Sequence, residues 1–333
     1  MADFLPRLER FLDSRGSDHN IQQLTPDAST REYFRVGWNG TTAIACVYPE
    51  PFVAAEQNYL DATKLFSEGG LPVARIFDFD ESLGVILMED LGDRILRTQL
   101  EAAEPGDRER MLNEAIELIP RIQAVTGAAY SKGSIASRLK FDVEKLTWEL
   151  DFFKTHYFGT LQKRPLSVDV DNRLADEFLE LSRDLESKAS VLCHRDFHAA
   201  NLMIDKEDRL RIIDHQDARI GSAAYDLVSL LLDRVTEAPA AGWLAAKRRY
   251  FLDERVRIGL PPLNEDEFAD EFRLQTIQRC LKAVGTFSYQ SAVRGKAYFV
   301  PFILPMFEIV HRAAGNLGQY DTIRALTERE LNA

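Results

Sequence analysis

The chain has 333 residues, 45% of them hydrophobic and 28% charged, which is enough for two lobes with separate cores and excludes a disordered protein. A formal net charge of -12 argues against a nucleic-acid binder, which needs a basic surface to displace phosphate counterions. The three cysteines, Cys46, Cys193 and Cys280, are widely spaced and odd in number, so neither a disulfide framework nor a zinc site is expected, only reduced, buried thiols.

The N-terminal stretch is amphipathic, with Phe4, Leu5, Leu8, Phe11 and Leu12 at helical spacing and Gly16 marking the end. It lacks the apolar core of a signal peptide, and no later run is long enough to span a membrane. The expected location is therefore cytoplasmic, with no membrane partner. Glu32 to Val36 and Thr41 to Val47 read as strands around a turn at Gly37 to Gly40. A helix is expected from about Val53 to Glu68, ending at Gly69-Gly70, followed by strands at Val73 to Phe79 and Val85 to Met88. The short connections predict an antiparallel sheet with a helix on it. From Gly92 helical patterns dominate, at Asp107 to Val125, Asp142 to Tyr157 and Asn172 to Ser187, interrupted by short strands at Val191 to Cys193 and Leu210 to Ile213. The later helical region breaks at Pro239, Pro261-Pro262 and Pro301.

The most informative stretch runs from Val191 to Ile204, where two apolar strands flank a polar loop holding His194, Asp196 and Asn201. A further apolar strand ends in Asp214. This is the H-R-D-x-x-x-x-N pattern of kinase catalytic loops with its strand-end aspartate. Phosphoryl transfer to an alcohol needs a carboxylate beside the attacking hydroxyl, and Asp196 fits that role. It also needs Mg2+ on the nucleotide phosphates, and the oxygens of Asn201 and Asp214 suit that hard cation.

Together with the segment from Ile212 to Arg234, this loop resembles the aminoglycoside phosphotransferase-like superfamily of small-molecule kinases. The resemblance implies an α+β, two-lobed protein-kinase-like fold: an antiparallel, five-stranded N-terminal nucleotide-binding lobe (residues 1–91), a hinge near Glu89 to Gly92, and a helical catalytic lobe (residues 92–333). It implies ATP and Mg2+ as cofactors, Asp196 as base and Asn201 and Asp214 as metal ligands. Asp226 would hold the loop backbone, a role compatible with a plain helix N-cap, and His194 would anchor the loop.

On the nucleotide side, Ala28, Ser29 and Thr30 in the first hairpin can offer amides and hydroxyls to phosphate, and Arg31 a charge. The strand Thr41 to Tyr48 has no lysine where protein kinases carry one, so either Arg31 or Arg35 substitutes or nucleotide binding is weak; Glu56, at the start of the next helix, has no obvious strand partner. Met88, Glu89 and Leu91 fall where a hinge would meet adenine. The segments from Asp27 to Arg35 and from Ile213 to Leu231 are similar to bacterial N-acetylmuramate/N-acetylglucosamine anomeric kinases, although His215 stands where a Phe is expected. That resemblance implies an amino-sugar acceptor. Candidate acceptor contacts are His198, Gln216, Asp217 and Arg219, with Trp243, Tyr289 and Tyr298 as stacking or core residues. A kinase for an aminoglycoside, choline, ethanolamine or homoserine, and a non-catalytic nucleotide-binding regulator, stay open at this level.

Overall fold

The computed structural model describes residues 4–17, 20–24 and 30–333. It divides into two compact units. The first comprises Met1–Leu112, Gly127–Ala136 and Ala199–Asp217. Its centre is an antiparallel sheet of five strands, β1 (Ile21–Leu24), β2 (Glu32–Trp38), β3 (Thr41–Val47), β4 (Ile76–Asp80) and β5 (Val85–Glu89), in the order β1-β2-β3-β5-β4. The β2–β3 turn is tighter than expected. The strand runs on to Trp38, and Asn39 and Gly40, at φ 47° and 76°, close a two-residue hairpin of the mirror-image type that suits twisted strands.

Period-two alternation divides the sheet's side chains between two helices. Phe34, Val36, Ala43, Ala45, Val47, Val85 and Leu87 bury against Leu8, Phe11 and Leu12 of the helix Phe4–Asp13. On the opposite face Tyr33, Ile44, Cys46, Ile86 and Met88 meet Tyr59 of the helix Asn58–Glu68. That helix begins later than Val53. Gln57 is extended and caps it by accepting from the Tyr59 N–H at 3.3 Å, so Glu56 lies in a preceding 3-10 turn, exposed. The strand expected from Val73 starts instead at Ile76. The Pro72 carbonyl accepts from Ile212 N–H and the Val73 carbonyl from the Arg211 guanidinium, which withdraws both residues from the sheet.

The same unit carries the hairpin β6 (Leu202–Ile204) and β7 (Leu210–Ile212). Ile204 N–H donates to the Arg94 carbonyl at 2.8 Å. Arg211, almost fully buried, binds Glu89 at 2.7 Å and Asp205 at 3.1 Å, so the hairpin is tied to the end of β5 by a paired, hydrogen-bonded buried charge.

The second unit comprises Asn113–Thr126, Ser137–His198 and Ala218–Ala333. Its principal helices include Val143–Lys154, Val168–Lys188, Glu265–Ala292, Ile303–Leu317 and Asp321–Leu331. Phe153 is the hub of its core, ringed by Tyr157, Phe158, Phe178 and Phe307. The helix expected to reach Tyr157 stops at Lys154 and passes into a π-helical turn, Thr155–Leu161. Two short strands, here β8 (Val191–Cys193) and β9 (Arg219–Gly221), pair antiparallel. A Cβ on Gly221 would lie 2.8 Å from the Phe141 ring, so only glycine fits there. The strands flanking the polar loop therefore do not pair with each other: β8 pairs β9, whereas β6 pairs β7. Cys46, Cys193 and Cys280 are free and buried, as expected. Among the described residues no helix is long and apolar enough to cross a membrane.

Candidate active site

In the second unit the polar loop leaves β8 through His194, Arg195 and Asp196. Arg195 has φ 84°, a conformation that an L-residue adopts at a cost of about 1–3 kcal/mol unless its surroundings hold it. Asp226 supplies the hold. Its fully buried carboxylate accepts from the His194 N–H at 2.7 Å and the Arg195 N–H at 3.1 Å. It does not cap its own helix (Tyr225–Leu231), whose N-cap is Ala224. Burial pushes the Asp226 carboxyl up to about 7, against the pull of those two donors. The His194 ring, also fully buried, meets Phe197 edge-on at 5.6 Å. Removing the carboxylate leaves two buried N–H groups without an acceptor. Asp226→Ala is thus expected to lower stability by about 3 kcal/mol and to cut turnover, and a urea midpoint equal to wild type would refute this anchoring.

Asp196 stands among cations. Arg195 Nε and Arg279 Nη2 each lie 3.9 Å from its carboxylate. Burial alone would raise its pKa, but Lys282, Arg195, Arg279 and His198 outweigh it and hold the group well below the carboxylate range. Lys282 faces the buried Glu149 at 3.6 Å, and Gln278 donates to the same carboxylate at 2.8 Å. The Tyr225 hydroxyl is fully buried within reach of these charges and has no hydrogen-bond partner among the described residues. His198 donates its N–H to the Asp196 carbonyl at 3.0 Å. Arg219, half-buried on β9, lays its guanidinium over the Phe141 ring at 5.2 Å.

In the first unit Asn201 and Asp214 come together. The Asn201 carbonyl accepts from Ile213 N–H, and its side-chain amide lies 3.4 Å from the Asp214 carboxylate. Asp214 has φ 62°, a second left-handed residue at the expected site, and its side chain stays 41% accessible. Gln216 donates to the other carboxylate oxygen at 2.8 Å, while its own amide oxygen is buried without a partner among the described residues. One carboxylate, two amide groups and an accessible face suit a cation that prefers oxygen ligands and keeps several waters. Asp217 is half-buried at the end of the same segment.

The two arginines considered for the place of the missing lysine differ in their surroundings. Arg35 is engaged by Asp90 at 2.8 Å and Asp93 at 2.8 Å. Arg31 lies beside the Tyr33 and Tyr48 rings and reaches to 3.7 Å from Asp214. Thr30 is exposed next to it, and Ser29, with Ala28, lies outside the described residues. Met88 is buried on the sheet face of Tyr59, whose hydroxyl meets its sulfur at 3.2 Å. The Glu89 N–H donates to the Arg75 carbonyl at 2.8 Å. Leu91 is buried. A polar cavity of about 420 Å³ borders this segment, lined among others by Thr42, Arg75, Glu89, Asp93 and Arg94, with neither Arg31 nor Asp214 in its wall.

His215 departs from the expected Phe and still packs as one. It is fully buried, stacks on Phe66 at 5.3 Å and bonds Thr63 at 2.7 Å, fastening the chain after Asp214 to the helix Asn58–Glu68. Residues missed in the sequence are Glu149, Tyr225, Arg279 and Lys282. The available signal was Arg279 and Lys282 three apart in the stretch Ile277–Val284, among the apolar Ile277, Cys280, Leu281 and Val284, a spacing that puts both on one face. Of the three aromatics considered for stacking, Tyr289 lies 5.9 Å from Phe152, Trp243 is paired with Lys247, and Tyr298 is 62% exposed beside Phe299.

Residues 20–262 match the model of the phosphotransferase enzyme family. An N-acetylmuramate/N-acetylglucosamine kinase of Neisseria meningitidis is 28% identical over 312 residues, 93% of this chain and 90% of that protein. Among solved structures, an aminoglycoside phosphotransferase in complex with gentamicin superposes with TM-score 0.59 at 12% identity, covering 97% of this chain and 99% of that one. Another, in a ternary complex with AMP-PNP and hygromycin B, gives 0.56 at 20% identity, covering 92% and 98%. The fold is that of the protein-kinase-like phosphotransferases. The chain belongs to the phosphotransferase enzyme family and is a small-molecule kinase, which moves a phosphoryl group to an alcohol or sugar hydroxyl.

Proposed function

We propose that this enzyme phosphorylates the anomeric hydroxyl of an N-acetyl amino sugar, N-acetylmuramate above all, using ATP and Mg2+. In this reading residues 1–91 serve the nucleotide and residues 92–333 the acceptor and the chemistry. Asp196 accepts the hydroxyl proton, and its depressed pKa suits an acceptor hydroxyl more acidic than an ordinary alcohol. Asn201 and Asp214, with the Gln216 amide oxygen, would hold Mg2+, whose charge would offset that of the nucleotide phosphates. Arg31 takes the part of the missing strand lysine toward the phosphates, with Ser29 and Thr30 beside it in the chain. His194 and Asp226 keep the loop in its strained shape. Met88, Glu89 and Leu91 border the adenine, and His198, Asp217 and Arg219 stand as acceptor contacts.

The observation that carries the acceptor reading is the convergence of Arg195, Arg279 and Lys282 on Asp196. A polycationic aminoglycoside or a quaternary choline would meet like charge there, whereas the lactyl carboxylate of N-acetylmuramate would meet opposite charge. The named relatives, N-acetylmuramate/N-acetylglucosamine kinases along nearly the whole chain, support the same acceptor.

The test is ADP release with ATP, Mg2+ and, in turn, N-acetylmuramate, N-acetylglucosamine, choline, homoserine and kanamycin. Turnover on the amino sugars, giving an acid-labile and alkali-stable phosphate, is expected. Turnover confined to another alcohol would overturn the acceptor and keep the chemistry. Lys282→Met is expected to lower kcat/KM for N-acetylmuramate about tenfold more than for N-acetylglucosamine, because a charge-assisted contact to the carboxylate is lost. The same variant removes a charge that depresses the Asp196 pKa, so the acid limb of its pH profile should move toward neutrality. Equal losses on the two sugars would refute carboxylate recognition by Lys282.

A further inference from the structure

The chemistry above leaves unused an aromatic group at the outer end of the same two helices. The helices Val143–Lys154 and Glu265–Ala292 cross in backbone contact, since a Cβ on Gly285 would fall 2.6 Å from the Phe153 Cα. The crossing brings four aromatic rings together. His156 lies 4.2 Å from Phe152 and 5.0 Å from Tyr289, and Trp148 lies 5.7 Å from Phe152. Trp148, Phe152 and His156 are spaced four apart and share a face. His156 belongs to the π-helical turn Thr155–Leu161, an irregularity frequent at functional sites. Core packing does not account for the group: Trp148 is 56% exposed, and Phe152, His156 and Tyr289 keep accessible edges.

The group continues the charged floor around Asp196. Lys145 and Glu149 precede Phe152 on one helix, with the Lys145 ammonium over the Trp148 ring at 4.2 Å. On the other helix Arg279 and Lys282 precede Tyr289, and the seven residues from Lys282 to Tyr289 advance the helix by about 10 Å. Lys282, Thr286 and Tyr289 are each half-buried along this helix, and the rings stand farther from the cations beside Asp196 than one sugar ring reaches. Burial holds His156 below its ordinary pKa, so it stands there as an uncharged ring at neutral pH.

We propose that Trp148, Phe152, His156 and Tyr289 form a second acceptor subsite, which stacks the non-reducing ring of an amino-sugar disaccharide whose reducing-end anomeric hydroxyl lies at Asp196. This rests on the amino-sugar kinase reading and extends its substrate to short oligosaccharides. The flat apolar C–H face of a pyranose suits the face of an exposed aromatic ring, while the polar tips of Trp and Tyr meet its hydroxyls. The reaction is unchanged in its balance. The anomeric oxygen forms a bond to the γ-phosphorus of ATP, the bond to the β-phosphate oxygen breaks, ADP leaves and the hydroxyl proton passes to Asp196.

The experiment compares kcat/KM for N-acetylglucosamine and for N,N'-diacetylchitobiose in the wild type, Trp148→Ala and Tyr289→Leu. The disaccharide is expected to be preferred about tenfold by the wild type, and the ratio to fall to about one in both variants. Turnover of the monosaccharide with no disaccharide preference, or a preference that survives Trp148→Ala, overturns the subsite and leaves the amino-sugar reading standing. Silence on both sugars, and on N-acetylmuramate assayed beside them, removes that reading instead, and the subsite is then judged by tryptophan fluorescence during titration with diacetylchitobiose. A saturable change that disappears in Trp148→Phe upholds an oligosaccharide site; an unresponsive wild type overturns it.

Discussion

Replacing Asp196 by alanine is expected to lower kcat by about a thousandfold while leaving the affinity for ATP within a few-fold of wild type. Positioned general bases contribute about 10² to 10⁴ in rate, and Asp196 is also expected to orient the attacking hydroxyl. Alanine has a second effect, because it deprives Arg195, Arg279 and Lys282 of a counter-charge. Asp196→Asn separates the two. It keeps the shape and removes only the proton acceptor, so its kcat should fall nearly as far with the urea midpoint little changed. Turnover within tenfold of wild type in the asparagine variant would refute the assignment. The pH profile offers an independent reading. With its pKa held down by Lys282, Arg195, Arg279 and His198, Asp196 stays ionised throughout and above the ordinary carboxylate range. Activity limited by its protonation is therefore lost only as pH falls below that range, and from pH 5 upward no limb should belong to this group.

Asp214→Ala is expected to abolish the dependence of ATP affinity on magnesium and to lower kcat/KM by about a thousandfold. A bound divalent cation supplies several kcal/mol of charge stabilisation in the transition state, and Asp214 is the one charged ligand proposed for it. The sign of the binding change is diagnostic. In excess Mg2+ the variant should bind ATP at least about tenfold more weakly than wild type. In EDTA it should bind as well or better, because a carboxylate facing the phosphates has gone and Arg31, 3.7 Å away in the wild type, is released from it. Isothermal titration with and without the metal measures both arms. A variant that loses affinity equally in the two conditions would mean that Asp214 supports the fold and not the ion.

The loop from Val191 to Ile204 and the strand ending at Asp214 were legible in the sequence because short apolar runs beside polar turns are local signals. The same locality explains the errors. Val73 reads as strand by composition, yet its carbonyl is taken by Arg211, 138 positions along the chain. Val53 reads as helix, but the extended Gln57 sets the true start. His215 read as a departure; packed against Phe66 and bonded to Thr63, it fills an aromatic place with a polar handle.

By itself the sequence determined the alternation that builds the sheet, the helical character beyond Gly92 and the pairing of Asn201 with Asp214, and it singled out Asp196 as the candidate base, since each depends on residue type and near spacing. Only the tertiary structure decided which arginine approaches Asp214, that Asp226 locks the strained turn at Arg195, and that Arg279 and Lys282 stand beside Asp196 though more than eighty positions away. Those pairings arise when distant helices pack and bury charges that must then find partners, and no local pattern encodes which distant partner a buried charge will meet.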